Sequence, residues 1–108
     1  MRDLNIFEGY SLRDLSFLKK FKHCVLLFIA KAHLKNLDAI VVQKGLSFEA
    51  CPNSLALYDC VVDDLELLEQ SNCWFYELII CNPADRNERD RWSRIRRAKY
   101  YEICGSNK

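Results

Sequence analysis

The last third of the chain combines a strand pattern and a helix pattern in direct succession. Trp74–Cys81 is an apolar, aromatic and β-branched run, which favours a mostly buried strand. Pro83 cannot donate to a strand ladder but fits the first turn of a helix. Asn82 is a natural N-cap, and Ala84–Glu102 carries acidic residues early and basic residues late, as a helix dipole favours. The sequence therefore predicts a buried strand followed by a terminal helix that ends at Gly105.

The predicted helix has an apolar side and a basic side. At about 100° per residue, Trp92, Ile95 and Ile103 fall together, so we expect them to be structural core residues. The other side carries arginines that the pattern leaves in water, namely Arg86, Arg94 and Arg97. These arginines are either part of a solvated face laced with opposite charges or candidate partner-binding residues.

Composition limits the class of protein. The 108 residues suffice for one domain with one core, and half of them are apolar. The net charge of +1 argues against a nucleic-acid partner. The longest apolar run, Cys24–Ala30, is too short to cross a bilayer, and Met1 opens no signal-peptide pattern. We therefore expect a cytoplasmic protein, and no internal repeat is evident.

Six cysteines are spread along the chain without metal-binding spacing. No Cys-x-x-Cys occurs, and the two histidines match no zinc pattern. We expect free thiols, because the chain shows no secretory signal. We expect no metal and no cofactor.

The middle of the chain admits two interpretations. The first makes strands of four apolar segments, namely Phe21–Ala30, Leu37–Gln43, Leu46–Cys51 and Leu55–Val62. The second makes Ser11–Asn36 one long helix, because this stretch has no Gly or Pro and places apolar residues at near-helical intervals. Asp63–Gln70 stays open between a loop, a helical turn and a strand edge.

Three segments together resemble a pleckstrin-homology domain, of the kind that follows the catalytic domain in Dbl-type Rho-family exchange factors. Phe7–Leu12 resembles the first strand, and Lys19–Phe28 resembles the basic entry into the second. Tyr76–Cys81 and Glu88–Ile95 resemble the last strand and the capping helix, with Trp92 where the family carries a tryptophan. The resemblance implies a mainly β fold over residues 1–108, a single two-sheet barrel capped by a C-terminal helix. The alternative is an α+β fold with a long N-terminal helix, a small sheet and a C-terminal helix.

The resemblance also implies a function. It predicts a non-catalytic signalling module that docks weakly to phosphoinositides or an anionic membrane, binds a protein partner and regulates an adjacent exchange-factor domain. The residues that match the family's lipid-binding region are Arg13, Lys19, Lys20, Lys22 and His23. The family's signature is Lys-x-Arg, whereas this chain has Lys at the second basic position. We expect weak lipid binding with little selectivity, because lysine lacks the bidentate guanidinium fork. The protein would then be cytoplasmic and peripheral at the inner membrane surface.

No catalytic constellation is evident, so we expect no enzyme activity. Asp63-Asp64 followed by Glu77 is similar to a metal-dependent nuclease pattern, but Ile79 stands where that pattern needs a lysine. The alternative function is a stand-alone microbial or viral α+β protein that binds and inhibits a partner protein. The helix content of Ser11–Asn36 discriminates between the two folds.

Overall fold

The computed structural model describes residues 3–21, 23–45 and 51–105. Within these ranges the chain forms seven strands, three α-helices and one short 3-10 helix. In chain order they are β1 (Asp3–Ile6), the 3-10 helix (Ser16–Lys20), β2 (Leu26–Ala30), β3 (His33–Asn36), α1 (Asp38–Lys44), β4 (Ser54–Tyr58), β5 (Val61–Asp64), α2 (Glu66–Gln70), β6 (Phe75–Cys81), α3 (Arg86–Ile95) and β7 (Ala98–Cys104).

Five strands form one parallel sheet in the order β1-β2-β4-β6-β7, while β3 and β5 form a second, smaller parallel sheet. The register of the large sheet pairs Asp3 with Leu26, Leu26 with Ser54, Ser54 with Glu77, and Glu77 with Tyr100. Neighbouring strands are thus 23 residues apart along the chain, with one step of 28 between Leu26 and Ser54. A nearly constant offset between parallel neighbours is typical of a solenoid, in which each repeat is one coil of chain.

Equivalent positions in the coils carry similar side chains. Each strand of the large sheet turns two apolar residues inward: Leu4 and Ile6, Leu27 and Ile29, Leu55 and Leu57, Leu78 and Ile80, Tyr101 and Ile103. Three residues after four of these pairs comes a buried small residue or proline: Gly9, Ala32, Cys60 and Pro83. These positions stack as columns across the sheet and form one core. The expectation of a chain without internal repeats is therefore wrong.

The chain leaves four strands of the large sheet through the same left-handed backbone conformation. The residues concerned are Lys31 (φ 64°), Asp59 (φ 54°), Asn82 (φ 54°) and Gly105 (φ 84°). In the first three, the backbone N–H donates to the carbonyl of the last residue of the neighbouring strand, at 2.9, 3.0 and 2.9 Å. Residues other than glycine disfavour this conformation. At Lys31, Asp59 and Asn82 the ladder hydrogen bonds offset that cost and stabilise the turn.

The helices cover one side of the large sheet. Leu18 of the 3-10 helix, Ile40 of α1, Leu68 of α2 and Trp92 of α3 belong to the same apolar cluster as the inward strand residues. Asp85 is the N-cap of helix α3, and its carboxylate accepts the backbone N–H of Glu88 at 2.9 Å. Because the core lies between helices and sheet, the opposite side of the sheet faces away from it. Across the described ranges, no helix is both long and apolar enough to cross a bilayer.

The predicted barrel is wrong, because every pairing in both described sheets is parallel. The pleckstrin-homology-like expectation required antiparallel strands that close on themselves. The alternative with a long N-terminal helix is wrong as well. Ser11–Asn36 contains the 3-10 helix, β2 and β3, because apolar residues such as Leu27 and Ile29 gain more from stacking in the sheet than from a helical stripe.

The C-terminal segment is half helix and half strand. The strand predicted over Trp74–Cys81 is confirmed as β6, but the helix stops at Ile95 instead of continuing to Glu102. Asn82 lies in the left-handed turn and is not the N-cap, which is Asp85. Ile103 consequently lies in β7, and Gly105 ends a strand.

Three further expectations in the middle of the chain are corrected. Leu37–Gln43 is predicted as a strand but forms helix α1, whose apolar residues pack against the 3-10 helix and α2. Leu55–Val62 is broken by the turn at Asp59 into β4 and β5. Asp63–Gln70 completes β5 and then forms α2. Most of the strand predicted at Leu46–Cys51 lies outside the described residues.

Two of the cysteines are joined, against the expectation of free thiols. Cys81 and Cys104 are register partners at the ends of β6 and β7, and a disulfide links them with a Cα–Cα distance of 4.6 Å. That distance lies within the usual range of about 4.4–6.8 Å. Of the four free cysteines, Cys24, Cys60 and Cys73 are buried and Cys51 is half-buried.

Replacing Trp92 by alanine tests the core. Trp92 is 1% exposed, so Trp92→Ala should lower the free energy of unfolding by about 3–5 kcal/mol, which a chemical denaturation curve measures. Trp74 is 46% exposed, and Trp74→Ala should change the same quantity by less than about 0.5–1 kcal/mol. Equal effects of the two substitutions would contradict this assignment of the core.

Thiol counting tests the disulfide. Without reductant, the denatured protein should expose four reactive thiols, because Cys81 and Cys104 are linked. After reduction, all six cysteines should react. In the native protein the label should appear first on Cys51, which peptide mass spectrometry can localise. Six reactive thiols without reductant would contradict the linkage.

Candidate functional site

The side of the large sheet opposite the core is the candidate functional site, and we call it the outward face. It consists of the residues in β1, β2, β4, β6 and β7 that alternate with the inward pairs, together with Phe7 directly after β1. The start of β6 is the exception, because Phe75 lies in the core and Tyr76 is exposed. Leu26 and Phe28, for example, flank the inward Leu27 and are half-buried, whereas Leu27 is fully buried. The strand period therefore places two different sets of apolar residues on the two sides of the sheet.

An aromatic row crosses the first three strands of the outward face. The ring centroids of Phe7 and Phe28 are 5.4 Å apart, and those of Phe28 and Tyr58 are 4.9 Å apart, both in tilted arrangements. Phe7 is 65% exposed. Small residues stand opposite the large ones in the register, since Ala56 pairs with Phe28 and Ala30 with Tyr58. The aromatic rings therefore protrude from an apolar surface, and the alanines form its lower parts.

A groove of about 480 Å³ lies at the other end of the outward face. It is lined by Glu77 and Ile79 of β6 and by four consecutive residues of β7, namely Lys99, Tyr100, Tyr101 and Glu102. The register places Tyr100 beside Glu77 and Glu102 beside Ile79, so the two carboxylates are diagonal neighbours. Tyr100 is 51% exposed, which leaves its ring accessible from solvent.

One cation already lies against the aromatic rings at this end. The Lys99 ammonium is 5.8 Å from the ring centroid of Tyr76 and 5.6 Å from that of Tyr100, within the range of a cation–π contact. The two tyrosine rings themselves pack edge to face at 5.2 Å. The groove therefore combines aromatic rings, two carboxylates, an aliphatic side chain and the ammonium of Lys99.

Four of the five residues predicted to bind lipid lie in the described part of the chain. Lys19 and Lys20 are exposed at the end of the 3-10 helix, on the helical side of the molecule, and His23 is exposed shortly after it. The Arg13 guanidinium donates to the backbone carbonyls of Tyr10 and Leu12 at 3.0 and 3.2 Å. Lys22 lies outside the described residues. Their binding to lipid stays a prediction.

The three arginines predicted to bind a partner do not share one helix. Arg86 and Arg94 are exposed in the first and last turns of α3. Arg97 follows the helix and donates to the backbone carbonyl of Glu69 at 2.6 Å. Arg97 thus ties the end of α3 to α2. A partner-binding role for these arginines stays a prediction.

A second groove, of about 370 Å³, lies on the helical side between the 3-10 helix and α1. Leu18, Ala39 and Val42 give it an apolar lining, with Lys19 and Asp38 at its border. Val42 is 76% exposed. Nothing in the structure shows what would cover this groove.

A histidine and a carboxylate meet on the small sheet. His33 Nε2 of β3 and Asp63 Oδ1 of β5 are 2.7 Å apart, and both side chains are more than half exposed. Exposed pairs of this kind stabilise a fold by about 0–1 kcal/mol, so the contact helps to hold the two strands together only weakly. Among the described residues, no group of His, Cys, Asp and Glu side chains is arranged to hold a metal ion.

Comparison with protein-family models, curated proteins and solved structures finds no match for this chain.

The outward face could have been found from the sequence through its repeat. The pattern apolar-x-x-apolar-x-apolar-x-x-small occurs at Cys24–Ala32, Pro52–Cys60 and Phe75–Pro83. Recognising that spacing would have assigned Phe28, Ala56 and Ile79 to one column on the opposite side from the leucines.

A buried carboxylate connects α3 to the small sheet on the other side of the molecule. Glu88 is 4% exposed, and its Oε1 accepts the backbone N–H of Val62 at 3.0 Å. Burial raises the pKa of Glu88, and the hydrogen bond from Val62 opposes that shift. The raised pKa means that the folded protein favours the neutral form of this carboxyl. Its contribution to stability is therefore complete below pH 4.5, the ordinary pKa of a glutamate, and is lost as the pH rises through the pKa in the folded state.

Replacing Glu88 by glutamine should therefore raise the melting temperature at pH 7, because the amide oxygen still accepts the Val62 N–H without a buried charge. The gain over the native protein should shrink as the pH falls towards 4, where Glu88 is itself neutral. Glu88→Ala is the control and should lower the melting temperature, because it leaves the Val62 N–H unpaired. Thermal melts at both pH values measure the effect, and a gain that is the same at both would contradict it.

Proposed function

We propose that this protein is a non-catalytic interaction module of the leucine-rich-repeat type, and that its outward face binds a protein partner. The repeat supports the class: Cys24, Leu27, Ile29, Ala32 and Leu34 follow the spacing of L-x-x-L-x-L-x-x-N/C-x-L, with Cys24 at the first position and Ala32 at the N/C position. Pro52–Val62 follows the same spacing and places Cys60 at the N/C position. The thiol of Cys60 donates to the backbone carbonyls of Ile29 and Tyr58, each at 3.4 Å, so it links two coils from inside the turn.

The observation that carries the binding function is an aromatic row on an uncovered parallel sheet. Parallel sheets are normally covered on both faces, because their strands are apolar on both sides. Here the helices cover the inward face, while Phe7, Phe28 and Tyr58 form a contiguous patch on the other. Contiguous exposed aromatic surface is typical of protein-binding sites, where such residues contribute most of the binding energy.

The charges of the outward face favour a protein over a nucleic acid. Within the described ranges, the charged side chains that alternate with the inward pairs are the carboxylates Asp3, Glu77 and Glu102, and Lys99 adds one positive charge at the groove. Carboxylates repel phosphate groups, which every nucleic acid presents along its backbone. Docking to a membrane has less support, because the proposal of lipid binding depended on a barrel that this chain does not form.

Substitutions on the two sides of the molecule test this function. Phe28→Ser and Phe7→Ser should each lower the capture of partner proteins from a native lysate at least severalfold, because both remove part of the aromatic row. Val42→Ser on α1 is the matched control: Val42 is 76% exposed but lies on the helical side, so capture should be unchanged. Quantitative mass spectrometry of the captured proteins gives the readout.

The Phe7→Ser variant distinguishes a loss of binding from a loss of folding. Phe7 is 65% exposed, so Phe7→Ser should keep the melting temperature of the native protein. If both phenylalanine variants capture the same proteins as the native chain, or if Val42→Ser loses them as well, the outward face is not the binding site.

A further inference from the structure

We infer that the outward face recognises a basic segment of its partner, one that combines an apolar anchor with a lysine or arginine. This inference rests on the proposed function and adds the chemistry of the ligand. It is carried by the separation of apolar and acidic groups along the sheet. The aromatic row occupies the first three strands, and the two carboxylates Glu77 and Glu102 occupy the last two.

The carboxylates of the groove are available to a cation. Within the described part of the chain, neither Glu77 nor Glu102 forms an ion pair. Both line the same groove of about 480 Å³, diagonally across the register of β6 and β7. Lys99 lines the same groove, but the two carboxylates outnumber its one ammonium, and the remaining negative potential favours an incoming ammonium or guanidinium group.

The aromatic groups of the groove suit the same kind of ligand. The ring of Tyr100 lies between the two carboxylates in the register and is 51% exposed. The contact of the Lys99 ammonium with Tyr76 and Tyr100 shows that ring faces at this end of the sheet accept a cation. A partner arginine can stack on a tyrosine ring and donate to a carboxylate at the same time.

The distance between the two parts of the face sets the spacing of the ligand. Phe28 lies on β2, and the groove lies between β6 and β7, with β4 in between. That separation is two and a half strand spacings, or about 12 Å. An extended chain covers it in about four residues. The recognised segment therefore has an aliphatic or aromatic residue and a basic residue about four positions apart.

Selection of random peptides of about twelve residues, long enough to cross all five strands when extended, tests the inference. Peptides displayed on phage and selected on the immobilised native protein should be enriched in Lys and Arg at about four positions from an apolar residue. A synthetic peptide of the selected sequence should bind about three- to tenfold more weakly to Glu77→Gln/Glu102→Gln. Its affinity should also fall with added salt for the native protein, and less so for the variant.

The matched control is Glu66→Gln/Glu69→Gln on α2, which removes the same charge from exposed positions on the helical side and should leave the affinity unchanged. Phe28→Ser separates this inference from the proposed function. If the selected peptides need Phe28 but are not basic, or ignore the Glu77/Glu102 substitution, the inference is wrong and the proposed function stands. If no selected peptide depends on Phe28, the proposed function fails as well.

Discussion

The structure depends on the parallel ladder that joins each strand of the large sheet to the equivalent strand of the next coil. Parallel neighbours cannot be joined by a tight hairpin, so the chain must return to the start of the sheet after every strand. The left-handed turns at Lys31, Asp59 and Asn82 begin this return, and their backbone N–H groups extend the same ladder. A buried small residue or proline follows directly after each of these turns, as Ala32 and Cys60 do, because the turn brings the chain close to the neighbouring coil.

The ladder also decides where chemical function can reside. Since the described parts of the returns lie on the helical side, equivalent residues accumulate in columns, and the outward columns receive no cover from the described chain. Inward columns are apolar because they form the core, and this explains the leucines and isoleucines without reference to function. The outward rings of Phe28 and Tyr58 contact each other across neighbouring strands, and such pairs stabilise a sheet. The proposed function gives the same rings a second role, as a surface that a partner covers.

Part of the fold could be predicted from the sequence. The strand at Phe75–Cys81 and a helix that buries Trp92 and Ile95 both follow from local pattern. The strand at Ala98–Cys104 does not, because its charges continue the helical alternation of Arg86–Ile95. This segment forms a strand because it pairs with β6, which lies 23 residues earlier in the chain. A local sequence window does not contain both partners. The longer step of 28 residues between Leu26 and Ser54 interrupts the regular spacing, which makes the repeat harder to detect in the sequence.

The candidate site was harder to predict than the fold, for a physical reason. From the sequence, exposed charge favours Lys19, Lys20 and Arg94 as binding residues, and apolar residues in strands are assigned to the core. In a strand that is apolar on both sides, such as Leu26–Ala30, composition cannot say which side is covered. The placement of the helices decides which side is covered, because they pack over Leu27 and Ile29 and leave Leu26 and Phe28 outside the core. The part of this apolar surface that stays exposed is not buried on folding, so its burial can stabilise a complex.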